Sequence, residues 1–177
     1  NSTLSGPLSF VSSNGTLTVS GAVTNAGYAL TLDGAGTNIL SGAVSGTGGL
    51  VKNGSGWATL SGASTFSGTA TVNAGTLELG GSHASSIITI GSNAVLESSL
   101  TTNSPATAGS LNFVSGAKVR IAGTASQSSY TLVTASNGIV GLPTLETAVP
   151  DYALSVSNNS LLLVSTLVVS PYVSWLA

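Results

Sequence analysis

Residues 48–80 read GGLVKNGSGWATLSGASTFSGTATVNAGTLELG, a stretch in which single or paired apolar residues alternate with glycines. Only Lys52 and Glu78 carry a charge within it. Glycine lets the backbone bend without a clash at Cβ, so its recurrence indicates corners, and the short apolar runs between the corners indicate strands. The predicted inward-facing positions are Val51, Leu60, Phe66, Val72, Leu77 and Leu79. The stretch therefore predicts short strands joined by tight turns.

The same alternation with a period of two recurs along the chain. Examples are NGTLTVSG at 14–21, YALTLDG at 28–34 and SIITIGS at 86–92. The runs are rich in β-branched residues, end in Gly, Asn or Ser, and leave no helical period of useful length without an intervening Gly or Pro. The sequence therefore predicts an all-β protein.

Two all-β architectures compete for this pattern. A sandwich or barrel would use roughly seven to nine strands, whereas a solenoid would stack many short strands in successive coils. Self-similar short strands and the scarcity of charge favour the solenoid, because in a parallel stack equivalent residues lie about 4.8 Å apart and a column of like charges would repel. At about 20 residues a coil, the chain would form about eight coils.

Charged side chains make up 5% of the chain, against about 25% in an average soluble domain, and the net charge is -2. Without clustered Lys and Arg, nucleic acids and anionic membranes are excluded as partners. The absence of cysteine excludes disulfides and thiolate metal sites. We expect a surface built from Ser, Thr, Asn and Gly, which is more typical of an extracellular protein than of a cytosolic enzyme.

The apolar stretch LLLVSTLVVSPYVSWLA at 161–177 is a candidate membrane span. It is slightly shorter than the roughly 20 residues that a transmembrane helix needs, and Pro171 interrupts it. Strands are therefore favoured, and we predict no membrane span.

Residues 49–80 resemble the autotransporter-associated β-strand repeat, also called the passenger-associated transport repeat. The matching features are Gly-Leu-x-Lys-x-Gly-x-Gly at 49–56, Leu-Ser-Gly at 60–62, Thr-Phe-Ser-Gly at 65–68 and Asn-Ala-Gly-Thr-Leu at 73–77. The chain departs from the family's pattern at Trp57 and Ala58, where Thr or Leu is usual. The resemblance implies an exported bacterial protein that forms a right-handed parallel β-helix at the cell surface.

The predicted organisation is a single solenoid domain at 1–165 with its repeat core at 40–80. Residues 109–165 resemble the module that often closes such repeat regions in exported bacterial proteins. Residues 166–177 are predicted to be a C-terminal strand or tail, possibly shared between subunits.

The search for chemistry finds little to support an enzyme. His83 is the only histidine, which excludes a multi-histidine metal site and makes an exposed turn residue the preferred interpretation. Glu78 and Glu97 could stack one coil apart and act on glycosides, but we favour solvated outward residues that are offset from each other. We predict no catalytic, cofactor-binding or metal-binding residues.

Three further side chains have competing interpretations. Lys118 and Arg120 share one strand face, and pairing with Glu97 or Glu146 is favoured over binding of a carboxylate or sulfated sugar. An isopeptide crosslink at Lys52 needs a buried Lys, Asn and carboxylate together, which the sequence does not show. Trp57 is the candidate ligand contact, for example with a surface glycan.

The two ends of the predicted stack lack capping charges. No charged residue precedes Asp33, and the opposite end is apolar. Uncapped strand edges template further pairing. We therefore predict self-association, with residues 166–177 as a linker or a segment folded back on the solenoid as the alternatives. The candidate self-association residues are Leu167, Val168, Val169, Tyr172, Val173 and Trp175.

The sequence thus favours a structural protein, located outside the cell or on its surface, that assembles head-to-tail with copies of itself into a fibre or surface layer. The alternative is a passenger-type adhesin fragment that binds glycan or a host surface. An enzyme acting on polysaccharide is disfavoured by the scattered carboxylates and the single histidine.

Overall fold

The computed structural model describes residues 1–100 and 105–167, apart from the side chains of residues 84 and 85. This part of the chain is all-β and contains no helix. The strands are β1 Ser2–Thr3, β2 Leu8–Val11, β3 Thr16–Val19, β4 Val23–Thr24, β5 Leu30–Asp33, β6 Thr37–Leu40, β7 Val44–Ser45, β8 Leu50–Lys52, β9 Trp57–Leu60, β10 Thr69–Leu79, β11 Ser82–Ser99, β12 Ala106–Phe113, β13 Lys118–Ala122, β14 Ser129–Ala135, β15 Ile139–Val140, β16 Thr144–Leu145, β17 Tyr152–Ser157 and β18 Ser160–Ser165.

The strands stack in parallel as a β-solenoid, as the sequence predicted. One ladder runs through β2, β5, β8, β10, β11, β12 and β15, and a second through β3, β6, β9, β10, β11, β13 and β16. The short strands β1, β4 and β7 form a third face. Both long strands, β10 and β11, pass around the corner between the first two faces.

The solenoid has about five turns, fewer than the eight expected. Coils of 20 residues occur where Leu30 pairs with Leu50, but Leu111 and Ile139 are 28 residues apart. Beyond β16 the chain leaves the stack altogether. Longer late coils and this departure use up the residues that a uniform 20-residue coil would have placed in further turns.

The core consists of columns of aliphatic side chains from successive coils. Leu30, Leu50 and Ile88 belong to one column, and all three are buried. The predicted inward positions Leu60, Phe66, Val72, Leu77 and Leu79 are buried. Val51 was predicted wrongly: it is only half-buried, because Leu50 sets the phase of β8 and places Lys52 inside instead.

The glycines of the repeat form corners in which backbone stacks directly on backbone. A Cβ on Gly54 would overlap the carbonyl oxygen of Gly34, and a Cβ on Gly56 would overlap that of Gly36. Gly56 N donates a hydrogen bond to Gly34 O at 3.1 Å, which holds the two corners together. Gly-x-Gly is therefore required by the close approach of neighbouring coils.

An antiparallel hairpin covers the last strand of the first face. β17 and β18 are joined by Asn158 and Asn159, which both have positive φ, and β18 pairs antiparallel with β14. Leu161 and Leu163 bury their side chains in the core. The expectation of an uncapped stack is therefore wrong on this face, because the Asn-Asn turn reverses the chain and ends parallel stacking.

Most of the predicted self-association segment lies outside the described residues. Leu167 is 64% exposed. The outlying candidates are Val168, Val169, Tyr172, Val173 and Trp175. No helix within the described ranges is long and apolar enough to cross a membrane. The proposed domain limits at 1–165 remain a prediction.

Candidate functional site

Most of the charge of the chain lies on one outer surface of the second ladder. In each coil the residues that flank a buried position point outward, so Trp57, Thr76, Val95 and Lys118 form one column in register. The neighbouring column contains Thr59, Glu78, Glu97 and Arg120. We call the following residues the charged face: Trp57, Thr59, Glu78, Glu97, Lys118, Arg120 and Glu146. It holds five of the eight charged residues in the chain.

Glu78 and Glu97 face outward on adjacent coils, as predicted, but they are in direct register and not offset. Glu78 accepts a hydrogen bond from the Thr59 hydroxyl at 3.0 Å. Glu97 is only 9% exposed. Burial and the neighbouring Glu78 raise the pKa of Glu97, while Arg120 opposes this rise. The pair is therefore a strained site on an otherwise neutral surface.

Arg120 connects the parts of the charged face. Its Nε donates to the Glu146 carboxylate, and its Nη1 lies 3.7 Å from Glu97 Oε2. The hydrogen bond from Glu146 is the main cause of a raised pKa at Arg120. The predicted pairing of Arg120 with Glu97 and Glu146 is thus present in the structure. Lys118, by contrast, is exposed on the same strand face.

Trp57, the predicted ligand contact, begins β9 and is half-buried. The Arg120 guanidinium carbon lies 4.8 Å from the centroid of its ring, which is a cation–π contact. Thr76 and Val95, which follow Trp57 in the same column, are buried. One face of the indole is therefore engaged within the protein, and its role in binding remains a prediction.

A cleft of about 390 Å³ lies beside the charged face. Its lining includes Ser61, Glu78, Glu97, Ser98, Leu132 and Val133. Carboxylates only accept hydrogen bonds, so the polar side of this cleft suits hydroxyl or ammonium donors, while the leucine and valine offer an apolar wall. These are the contacts that a sugar ring makes.

The described residues contain no group of three or more His, Cys, Asp or Glu side chains that could hold a metal ion. Glycoside hydrolysis needs two carboxyl groups that flank the scissile bond. Glu78 and Glu97 instead stand next to each other along one sheet surface, and Glu97 also contacts Arg120. That the protein is not an enzyme remains a prediction.

Lys52 lies inside the solenoid and is fully buried. Its ammonium donates to the carbonyl of Gly54 and, at 3.4 Å, to that of Ala74. Burial lowers the pKa of Lys52, and the charge of Asp33 partly offsets this. Asn53 is exposed and hydrogen-bonds to Asn73, so the structure places it away from the buried amine that an isopeptide bond would use.

His83 was predicted to be exposed, and this is wrong: the residue is fully buried in β11. Its strand shifts register against β12 between His83 and Ile87, so the period of two breaks at this point. The alternation of Ile88 and Ile90 therefore gives no guide to the direction of His83. The sequence carries no other signal from which its burial could have been predicted.

The comparisons with known proteins identify one segment of the chain. Residues 50–79 match the family model described as Passenger-associated-transport-repeat. No curated protein and no solved structure matches the chain. The matched residues run from β8 to the end of β10 and include Lys52, the corner glycines, Trp57 and Glu78. Residues 50–79 are therefore a passenger-associated transport repeat, as the resemblance predicted.

Proposed function

We propose that this chain is a structural segment of an exported passenger-type protein and is displayed outside the cell or on its surface. The observation that carries the proposal is the transport repeat at 50–79, which forms an integral part of a parallel solenoid. Repeats of this type are named for passengers that are transported. A stacked solenoid also suits an extended spacer, because each coil contacts mainly its neighbours and length grows with coil number.

The nature of the surface supports a structural role. The chain has few charges, and those on the charged face largely pair with one another. The interior is filled by one continuous hydrophobic cluster that extends from Leu4 to Leu163. The chain accordingly acts through its shape and its outer surface, without catalysis.

The two lysines with described environments allow a direct test of location. Lys118 is exposed, whereas Lys52 is fully buried. We expect a membrane-impermeant amine reagent to modify Lys118 in intact source cells, with peptide mass spectrometry as the readout. Lys52 serves as the internal control, because it should react only after denaturation. Labelling of Lys118 only after cell lysis would contradict the proposed location.

We extend the proposal to self-association between copies of the chain. β17 ends the ordered series of strands in its sheet and has β18 as its only partner among the described strands. A free strand edge can pair with another chain. Together with exposed Leu167, this edge supports head-to-tail or edge-to-edge assembly into a fibre or surface layer.

Sedimentation velocity over a range of concentrations tests this extension. We expect the full chain to form larger species as its concentration rises, and Val156→Lys on β17 to reduce them at least several-fold, because lysine on an edge strand opposes pairing. Ile87→Lys is the matched control, since Ile87 is also exposed but lies on the central strand β11. A wild-type chain that stays monomeric at every concentration contradicts self-association.

The charged face favours a second candidate function, the binding of a surface glycan. Five of the eight charges, Trp57 and the cleft lie together on this surface, although the remaining exterior is almost uncharged. Glycan-array binding that is lost in Trp57→Ala and kept in Tyr28→Ala would favour this candidate, because Tyr28 is an exposed aromatic outside the charged face.

A further inference from the structure

The single histidine of the chain lies in the interior of the solenoid without a hydrogen-bonded partner. His83 has no exposed surface, and neither Nδ1 nor Nε2 makes a hydrogen bond of normal geometry. Buried polar groups are ordinarily paired, and an unpaired one calls for an explanation. A neutral imidazole can occupy such a site at modest cost, whereas an imidazolium would have to be buried with a full charge.

The elements packed against β11 place no charged group that could compensate an imidazolium. β10 carries Glu78, β13 carries Lys118 and Arg120, and β11 itself carries Glu97, all on the charged face. β12 has no titratable side chain. Tyr130 of β14 has its hydroxyl bonded to the backbone amides of Ser126 and Gln127.

The energetic balance at His83 agrees with this geometry. Burial lowers the pKa of His83 below its ordinary value of 6.5, and the carbonyls of Gly80 and Leu60 offset only part of the effect. No charged side chain contributes to the shift.

The surrounding strand is also the place where the ladder is irregular. β11 pairs with β12 at Ser82 and His83, and then again only from Ile87 onward, after a shift of register. A solenoid has mainly nearest-neighbour contacts, so a coil with a weakened ladder can open without the others.

We propose that His83 is a pH-sensitive switch, which is neutral in the closed coil and opens the coil around residues 82–90 when it becomes protonated. The open strand gives the imidazolium access to water, and the neighbouring coils remain stacked. The device would make this part of the solenoid labile in a mildly acidic environment while it stays closed at neutral pH.

The sign of the effect follows from the direction of the pKa change. Because the pKa of His83 is lower in the folded state, its contribution to stability is complete above the unfolded value of 6.5 and is lost as the pH falls towards the folded value. Within this window one proton is taken up on opening, so the ratio of open to closed coil rises about tenfold for each pH unit.

Hydrogen exchange of the full chain, measured by mass spectrometry at pH 7 and pH 5 and corrected for intrinsic rates, tests the proposal. We expect the amides of 82–90 to lose protection at pH 5 in the wild type by about tenfold for each pH unit within the window. His83→Gln should abolish this response, because glutamine does not titrate. Glu97→Gln is the control on the same strand and should leave the response unchanged.

Two results would overturn the switch. One is equal protection of 82–90 at the two pH values in the wild type, and the other is an unchanged response in His83→Gln. If His83→Gln does not fold, NMR of the wild type decides, because the chain has one histidine and therefore one imidazole titration. A midpoint below 6.5 supports the switch, and a midpoint at or above 6.5 contradicts it.

Discussion

Gly56→Ala is expected to lower the free energy of unfolding by about 3–5 kcal/mol, at the upper end of single substitutions. The added Cβ would overlap the carbonyl oxygen of Gly36 and approach the backbone of Ala35 in the coil below. These are backbone atoms, so no flexible side chain can move aside. Separation of the coils would also weaken the hydrogen bonds from Gly56 N to Gly34 O and from Trp57 N to Gly36 O, both 3.1 Å long.

Gly6→Ala is the matched control for this substitution. Nothing lies within 4 Å of a Cβ built on Gly6, and its φ is outside the left-handed region. We expect its unfolding free energy to change by no more than about 0.5–1 kcal/mol, with a gain possible because alanine restricts the unfolded chain. Urea denaturation followed by circular dichroism measures both variants. Equal stability of the two would show that the coils can separate at the corner without cost.

The sequence predicted the parts of the fold that depend on local pattern. Runs of alternating apolar residues located nearly all the strands, including β17 and β18 at their observed positions, and the self-similar glycine beat indicated stacking. What it did not predict was the direction of β18, although Asn158 and Asn159 between two alternating runs are a typical hairpin signal. The hairpin was missed because the expectation of continued coils was extended beyond the parallel stack.

The interior was predicted less completely than the strands. A period of two allows either phase, and Val51 was chosen over Leu50 and Lys52 because a charged side chain is rarely buried. His83 was misplaced because a register shift interrupts the phase of β11. Both errors concern polar groups inside the solenoid, where the decisive factor is an interaction with the neighbouring coil that no single strand encodes.

The charged face shows the same division between local and long-range information. A separation of 19 residues suggested that Glu78 and Glu97 stack, and the strand face of Lys118 and Arg120 suggested pairing with Glu97 or Glu146. The contact between Arg120 and Trp57 was not predicted, because it crosses two intervening strands of the ladder. Long side chains reach beyond the neighbouring coil, which register alone does not show.

Lys52→Ala is expected to destabilise the protein by about 3–5 kcal/mol. The substitution removes a fully buried side chain, leaving a cavity, and takes the donor away from the carbonyls of Gly54 and Ala74. A buried acceptor without a partner costs about 1–3 kcal/mol, and the cavity adds to this. A Cβ on Gly75 would lie 2.8 Å from the Lys52 nitrogen, so the ammonium fills the space that this glycine leaves at the corner.

Two companion variants separate the ammonium from the volume of the Lys52 side chain. Lys52→Met keeps most of the apolar stem but donates no hydrogen bond, so we expect a loss of about 1–3 kcal/mol, intermediate between wild type and alanine. Val51→Ala, on the outer side of the same strand, should cost less than about 1 kcal/mol because Val51 is only half-buried. Urea denaturation of the three variants gives the order. If Lys52→Met equals the wild type, the lysine contributes only its apolar stem; the intermediate value that we expect assigns it the role of closing the glycine corner of the repeat from inside.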